Sequence, residues 1–143
     1  MTPTEMAALH AVCFTNTRPW GRAEFESLCA QKHTKTFCLP SGFALIQVIA
    51  DEAEILTIAI APQAQRRGIG TLLCKKISED CGKNGVTKIF LEVAADNHKA
   101  RGLYQKLGYR EIARRAGYYT SGREVAQDAI ILAQNLTSVA KII

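Results

Sequence analysis

Ile58-Ala59-Ile60-Ala61-Pro62-Gln63-Ala64-Gln65-Arg66-Arg67-Gly68-Ile69-Gly70-Thr71-Leu72-Leu73 passes from an apolar, β-branched segment through a basic, glycine-bearing turn into a new apolar pattern. That pattern continues as Ile69, Leu72, Leu73, Ile77 and Cys81, the stripe of an amphipathic helix ending near Gly82 or Gly85. A strand that turns through glycines into a helix sets the first, unpartnered N–H groups of that helix beside the turn, where the helix dipole favours negative charge. Gly68 and Gly70 let the backbone come close to an anion, and Arg66 and Arg67 add charged donors. The stretch is neither a Walker A loop, which ends in Gly-Lys-Ser/Thr, nor the GxGxxG of a dinucleotide fold. Taken alone, these residues fit an anion cradle and fit equally a basic turn whose glycines only permit tight entry into the helix.

Working outward, residues 5–14 carry Met6, Leu9, Val12 and Cys13 at helical spacing, with Thr4 as the expected N-cap. Pro19-Trp20-Gly21 breaks that pattern, and residues 22–30 read as a second short helix with Phe25 and Leu28 on one side. Residues 36–39 are β-prone and stop at the turn Pro40-Ser41-Gly42. Residues 43–50 and 54–60 read as a hairpin around Asp51-Glu52. Beyond the glycine-bearing helix come a strand at 88–93, a helix at 97–107, a short strand at 108–113 and a final strand at 125–133. The order predicts one α/β domain over residues 1–143, a mixed central sheet flanked by helices.

Composition narrows the function classes. Of 143 residues 48% are apolar and 22% charged, as in an ordinary globular chain and unlike a disordered one. No apolar run is long enough to span a membrane, and the N-terminus lacks the pattern of a signal peptide, so a cytoplasmic protein is expected. The net charge of +5 suits an anionic ligand, but no Lys/Arg run exceeds two and no basic stripe alternates with aromatics. Direct nucleic-acid binding is therefore not expected. The five cysteines form no CxxC pair and read as reduced thiols, with Cys74 and Cys81 seven apart on one helix face. His10, His33 and His98 are isolated and read as solvated or capping residues, so no metal site is expected.

Gln65-x-x-Gly68-x-Gly70, after a strand and before a helix, resembles the Q/R-x-x-G-x-G/A hallmark of the GNAT acyltransferases. Leu91-Glu92-Val93, Asn97 and Ala100-x-x-Leu103-Tyr104-x-x-x-Gly108-Tyr109 follow in the order of the second half of that fold. Within the family, Arg18-Pro19-Trp20, Arg114-Arg115-x-x-Tyr118-Tyr119 and Asp128-Ala129-Ile130-Ile131 are similar to the RimI type, which acetylates the N-terminal alanine of a ribosomal protein. Two departures stand on the acceptor side: the strand expected before the first helix is short or absent, and Thr120 occupies a place where Pro is usual.

The resemblance implies a GNAT fold with acetyl-CoA as co-substrate and no metal. It implies that Ile58, Ala59 and Ile60 offer backbone groups to the pantetheine arm. Arg66, Arg67, Gly68, Ile69, Gly70 and Thr71 would hold the pyrophosphate, and Asn97 would cap a helix near the pantetheine. Glu92 would be the general base and Tyr104 the general acid of a direct attack without an acyl-enzyme. Trp20, Tyr118 and Tyr119 would meet the acceptor, the tyrosines from a loop after the penultimate strand. Each has a plainer alternative: a solvated carboxylate at a strand end, a core tyrosine, a helix cap, rim aromatics. As the one carboxylate between Ile89 and Val93, Glu92 would be made more basic by desolvation. An α-amine titrates near about 7.7–8.0 against about 10.4 for lysine, so a single carboxylate suits a protein or peptide N-terminus better. A small amine, a lysine side chain, or a non-catalytic acyl-CoA-binding module remain as alternatives, and the oligomeric state is open.

Overall fold

Pro3 and Glu5 shift the start of the chain's first helix. In the computed structural model, which describes residues 1–15, 18–120 and 123–136, Thr2 rather than Thr4 is the N-cap of α1 (Pro3–Cys13). The Thr2 hydroxyl accepts from the Glu5 N–H at 3.2 Å, and the Glu5 carboxylate accepts from the Thr2 N–H at 3.1 Å. This capping box satisfies two orphan donors at once, and Pro3 sits in the first turn, where its missing N–H costs nothing. The second helix, α2, spans Arg22–Ala30.

The remaining elements follow the expected order: β1 (Thr34–Leu39), β2 (Gly42–Ile49), β3 (Glu52–Ile60), a 3-10 turn at Pro62–Ala64, α3 (Ile69–Lys83), β4 (Lys88–Ala94), α4 (His98–Lys106), β5 (Arg110–Tyr119) and β6 (Gln127–Asn135). They form one sheet in the order β1-β2-β3-β4-β6-β5. Only β3 and β4 run parallel; every other pairing is antiparallel. The expected short strand at 108–113 is instead the ten-residue β5, which carries Tyr118 and Tyr119 inside it rather than in a following loop. The strand is an exposed edge with breaks in register near Ile112 and between Arg115 and Tyr119, so it shows no apolar alternation to reveal its length.

Two cores lie on opposite faces. Ala44, Ile46, Ile55, Cys74, Ile77, Cys81, Ile89, Leu91, Tyr104 and Ile130 pack together on the α3/α4 face. Met6, Phe25, Phe43, Leu45 and Ala59 pack under α1 and α2. Cys74 and Cys81 do share a buried helix face, and burial pushes the Cys74 thiol up to about 12. A bulge changes the phase with which β3 serves the two faces. Leu45 pairs with Thr57 while Ile46 pairs with Ile55, which leaves Leu56 as the extra residue. Side chains alternate faces along a strand, so one extra residue exchanges them. Ile55 lies in the α3/α4 core, Leu56 packs on the α1/α2 core, and Ile58 returns to the first.

Candidate active site

The bulge lies where β3 and β4 part. Their parallel pairing runs from Glu52↔Lys88 to Ile55↔Leu91, after which β3 continues to Ile60 and β4 to Ala94 along diverging courses. The result is a slot through the sheet bordered by Ile58, Ala59 and Ile60 on one side and Glu92 and Val93 on the other. The Ile60 carbonyl is already engaged: the Cys13 thiol donates to it at 3.1 Å and the Gln65 amide at 3.1 Å. These bonds tie the end of β3 to α1 and to the basic turn.

At one mouth of the slot stands the N-terminus of α3. Its cap is Gly68, in the left-handed region at φ 77°, and among the described residues no side chain bonds to the first-turn amides of Ile69, Gly70 and Thr71. Arg66 is also left-handed, at φ 64°, and both arginines are exposed. Gly70 is buried, and a Cβ there would lie 3.2 Å from both the Ile60 and Leu103 methyls. Glycine is therefore what lets α3 seat against β3 and α4. An uncapped helix end with two flanking guanidinium groups is the donor set a diphosphate requires, and it fits the coenzyme expected at Arg66–Thr71. Asn97 caps α4, its Oδ1 accepting from the Ala100 N–H at 3.2 Å.

Glu92 and Tyr104 flank β4 from opposite sides. Leu91 and Val93 point into the α3/α4 core, so Glu92 between them projects to the other face, half-buried. Its Oε1 accepts from the Tyr119 hydroxyl at 2.8 Å. Glu54, on the same side of β3, has its carboxyl held above the usual range by burial and by the Glu92 charge. Tyr104 projects from α4 into the core on the α3 side, 7% exposed and edge-on to Tyr109 at 5.3 Å. Burial, with the neighbouring Cys74 and Tyr109, holds its phenol far above the ordinary range, so it remains a proton donor at any working pH. Its packing is that of a core tyrosine, with a phenol that stays protonated.

The residues expected to meet the acceptor fall in two places. Trp20 lines an open groove with Leu28 of α2 and the bulged Leu56 of β3. It is fixed by His10, which is neither solvated nor capping. His10 is 3% exposed, stacks between Phe14 and Trp20 at 4.1 and 5.0 Å, and accepts the Trp20 N–H on Nδ1 at 3.1 Å. Burial drives its imidazole down to about 4, so it is neutral at physiological pH. Across the sheet, Tyr118 is 53% exposed with the Arg115 guanidinium over its ring, whereas Tyr119 turns inward to Glu92. The Arg123 guanidinium lies over Tyr119 and bonds Asp96 at 2.8 and 3.0 Å. Sequence reasoning missed Glu54, His10 and the Arg123–Asp96 pair. The argument that picks out Glu92, an acid within an apolar strand, applies equally to Glu54.

Among the described residues no three His, Cys, Asp or Glu side chains gather as a metal site, and no helix is long and apolar enough to cross a membrane. Residues 4–109 match the acetyltransferase (GNAT) family. The [ribosomal protein bS18]-alanine N-acetyltransferase of Escherichia coli is 37% identical over 133 residues, covering 89% of this chain and 88% of that protein. N-alpha-acetyltransferase RimI of Mycobacterium tuberculosis is 32% identical over 122 residues, 79% of this chain and 75% of its own. The crystal structure of the E. coli ribosomal-protein-S18-alanine N-acetyltransferase superposes with a TM-score of 0.84 at 30% identity, over 93% of this chain and 86% of that one. Ard1 from Thermoplasma volcanium shares the fold at a TM-score of 0.79 and 20% identity. The chain therefore belongs to the GNAT family of acetyl-CoA-dependent N-acetyltransferases.

Proposed function

We propose that this protein transfers the acetyl group of acetyl-CoA to the α-amine of a protein N-terminus, in the manner of the RimI-type enzymes. The observation that carries the reading is the placement of Glu92 and Tyr104 on opposite faces of β4, at the point where it leaves β3. An acceptor arriving under the α1/α2 side meets a carboxylate. A coenzyme laid along the α3 side meets a phenol that stays protonated. Bound acetyl-CoA supplies the activated thioester. Glu92 takes the proton that the attacking amine must lose, and Tyr104 returns one to the departing sulfur. The first-turn amides of α3, with Arg66 and Arg67, neutralise the diphosphate, and Ile58 and Ala59 offer main-chain groups along the slot.

The acceptor class rests on similarity: the E. coli relative is named for the alanine N-terminus of ribosomal protein bS18, and 37% identity over most of both chains extends that class to this protein. A ribosomal protein beginning with alanine is the first candidate. The groove at Trp20 and the outward Tyr118 would grip the first residues of such a peptide. The test is a panel of peptides with free or blocked N-termini, with and without lysine, incubated with acetyl-CoA and read by mass. Acetylation confined to free N-termini supports the reading. Equal labelling of blocked, lysine-bearing peptides refutes the acceptor class, and coenzyme binding without turnover on any amine refutes catalysis.

A further inference from the structure

We propose that Tyr119 is a positioning residue that acts through Glu92, held in place by the Arg123–Asp96 pair, while Tyr118 alone of the two tyrosines is left to face the acceptor. The inference rests on the reading of Glu92 as the base. Adjacent side chains of a regular strand point to opposite faces. Here the break in register between Arg115 and Tyr119, with Gly117 left-handed at φ 60°, sets them at 88° to each other and sends them in different directions.

Tyr119 lies beside Gln127 of β6, whereas Glu92 lies beside Ile131. Its ring must cross β6 to reach β4, and between those two levels that face of β6 carries only the small Ala129. The hydroxyl then ends 2.8 Å from Glu92 Oε1. The ring is fixed by the edge of Tyr118 at 5.3 Å and by the Arg123 guanidinium at 5.4 Å. Arg123 is in turn anchored, its side chain 8% exposed and bonded twice to Asp96 at the start of the β4–α4 connection. Burial and donation to Glu92 keep the phenol protonated far above its ordinary range, so the hydroxyl is a donor throughout the working pH range.

A carboxylate with one oxygen anchored loses its rotational freedom before the amine arrives, and its second oxygen is presented in one orientation. Removing a hydrogen-bond donor from an ionised carboxylate withdraws support from that form, which is a change a rate profile can read. Among the described residues Glu54 from β3 also faces Glu92, and Arg123 and Asp96 stand behind the Tyr119 ring.

The test uses an alanine-started peptide, acetyl-CoA and thiol release, over pH 5 to 9, for wild type, Tyr119→Phe, Glu92→Gln, the double variant and Tyr118→Ala. Tyr119→Phe is expected to lower kcat about 10-fold with KM for the peptide within about 2-fold, and to move the acid limb of the rate profile up by about 1 in pH. The double variant should be no slower than Glu92→Gln, because the two residues act in series. Tyr118→Ala should instead raise KM. Incorporating 3,5-difluorotyrosine at position 119, a stronger donor of nearly the same shape, should move the acid limb down, and it guards against a folding defect in the phenylalanine variant. The proposal is overturned if Tyr119→Phe changes KM alone, if neither replacement moves the limb, or if the two single losses multiply in the double variant. Glu92→Gln with wild-type rates would overturn the base assignment itself, an outcome distinct from these.

Discussion

Replacing His10 with Phe should abolish most of the protein's sensitivity to mild acid. The imidazole is buried among Phe14, Trp20 and Phe25, and desolvation lowers its titration from 6.5 to about 4. A histidine depressed in the folded state is neutral there while the unfolded chain gains a proton, so its stability is present above pH 6.5 and drains away as pH falls towards 4. With those two values, linkage gives a loss of about 2 kcal/mol between pH 7 and pH 5. The carboxyls of Glu5, Glu24, Asp96 and Glu111 are held low by their partners, so their contributions are lost only below the usual carboxylate range. Glu54 is shifted upward and acts with the opposite sign, but it is common to both proteins and cancels in the difference. His10→Phe preserves a ring in the stack and removes the acceptor of the Trp20 N–H, at a cost of about 1–3 kcal/mol at pH 7. Urea denaturation at pH 7 and pH 5 for both proteins separates this fixed cost from the pH-dependent one. An acid-induced loss in His10→Phe equal to that of the wild type would refute the assignment.

Three further outcomes follow from the site. Gly68→Ala should cost about 1–2 kcal/mol, because φ 77° is left-handed although the space around it is open; thermal melting reads this, and weakened acetyl-CoA binding by calorimetry should accompany it. Tyr104→Phe should lower kcat about 100-fold with little change in coenzyme affinity, checked by steady-state kinetics beside a direct binding titration. Glu92→Gln should reduce kcat/KM about 100-fold and flatten the acid limb of its pH profile; a limb of unchanged position would remove the residue from the base role.

The proposed coenzyme side is legible in the sequence because it is local. The strand, the basic turn, Gly68, Gly70 and the stripe of α3 lie within about 25 consecutive residues, and each carries a signature that needs no distant partner. The acceptor side depends on contacts that sequence spacing does not announce. Tyr119 meets Glu92 and Arg123 meets Asp96 across 27 positions in each case. His10 accepts from the backbone of Trp20, ten positions on, and an isolated histidine gives no hint of burial. β5 was read short for a related reason: an exposed edge strand, charged along much of its length, has no buried side from which a two-residue period could arise.

The bulge at Leu56 shows the same limit at the centre of the site. Residues 55–60 are apolar but for Thr57, and β3 is packed by a core on both faces, so no alternation exists to reveal a change of phase. Yet that one extra residue sends Leu56 to the floor of the Trp20 groove and Ile58 to the α3 side, just as pairing with β4 ends. A regular β3 would put Leu56 and Ile58, two residues apart, on one face; the bulge separates them. Its neighbour β4 stays regular, which keeps Glu92 on the acceptor face while Leu91 and Val93 remain in the core with Tyr104. The proposed base and acid are thus separated by the thickness of the sheet, with the slot as the passage between their two sides. The proposed direct transfer suits this arrangement: with acceptor and coenzyme approaching from different faces, no side chain would have to carry the acetyl group between them.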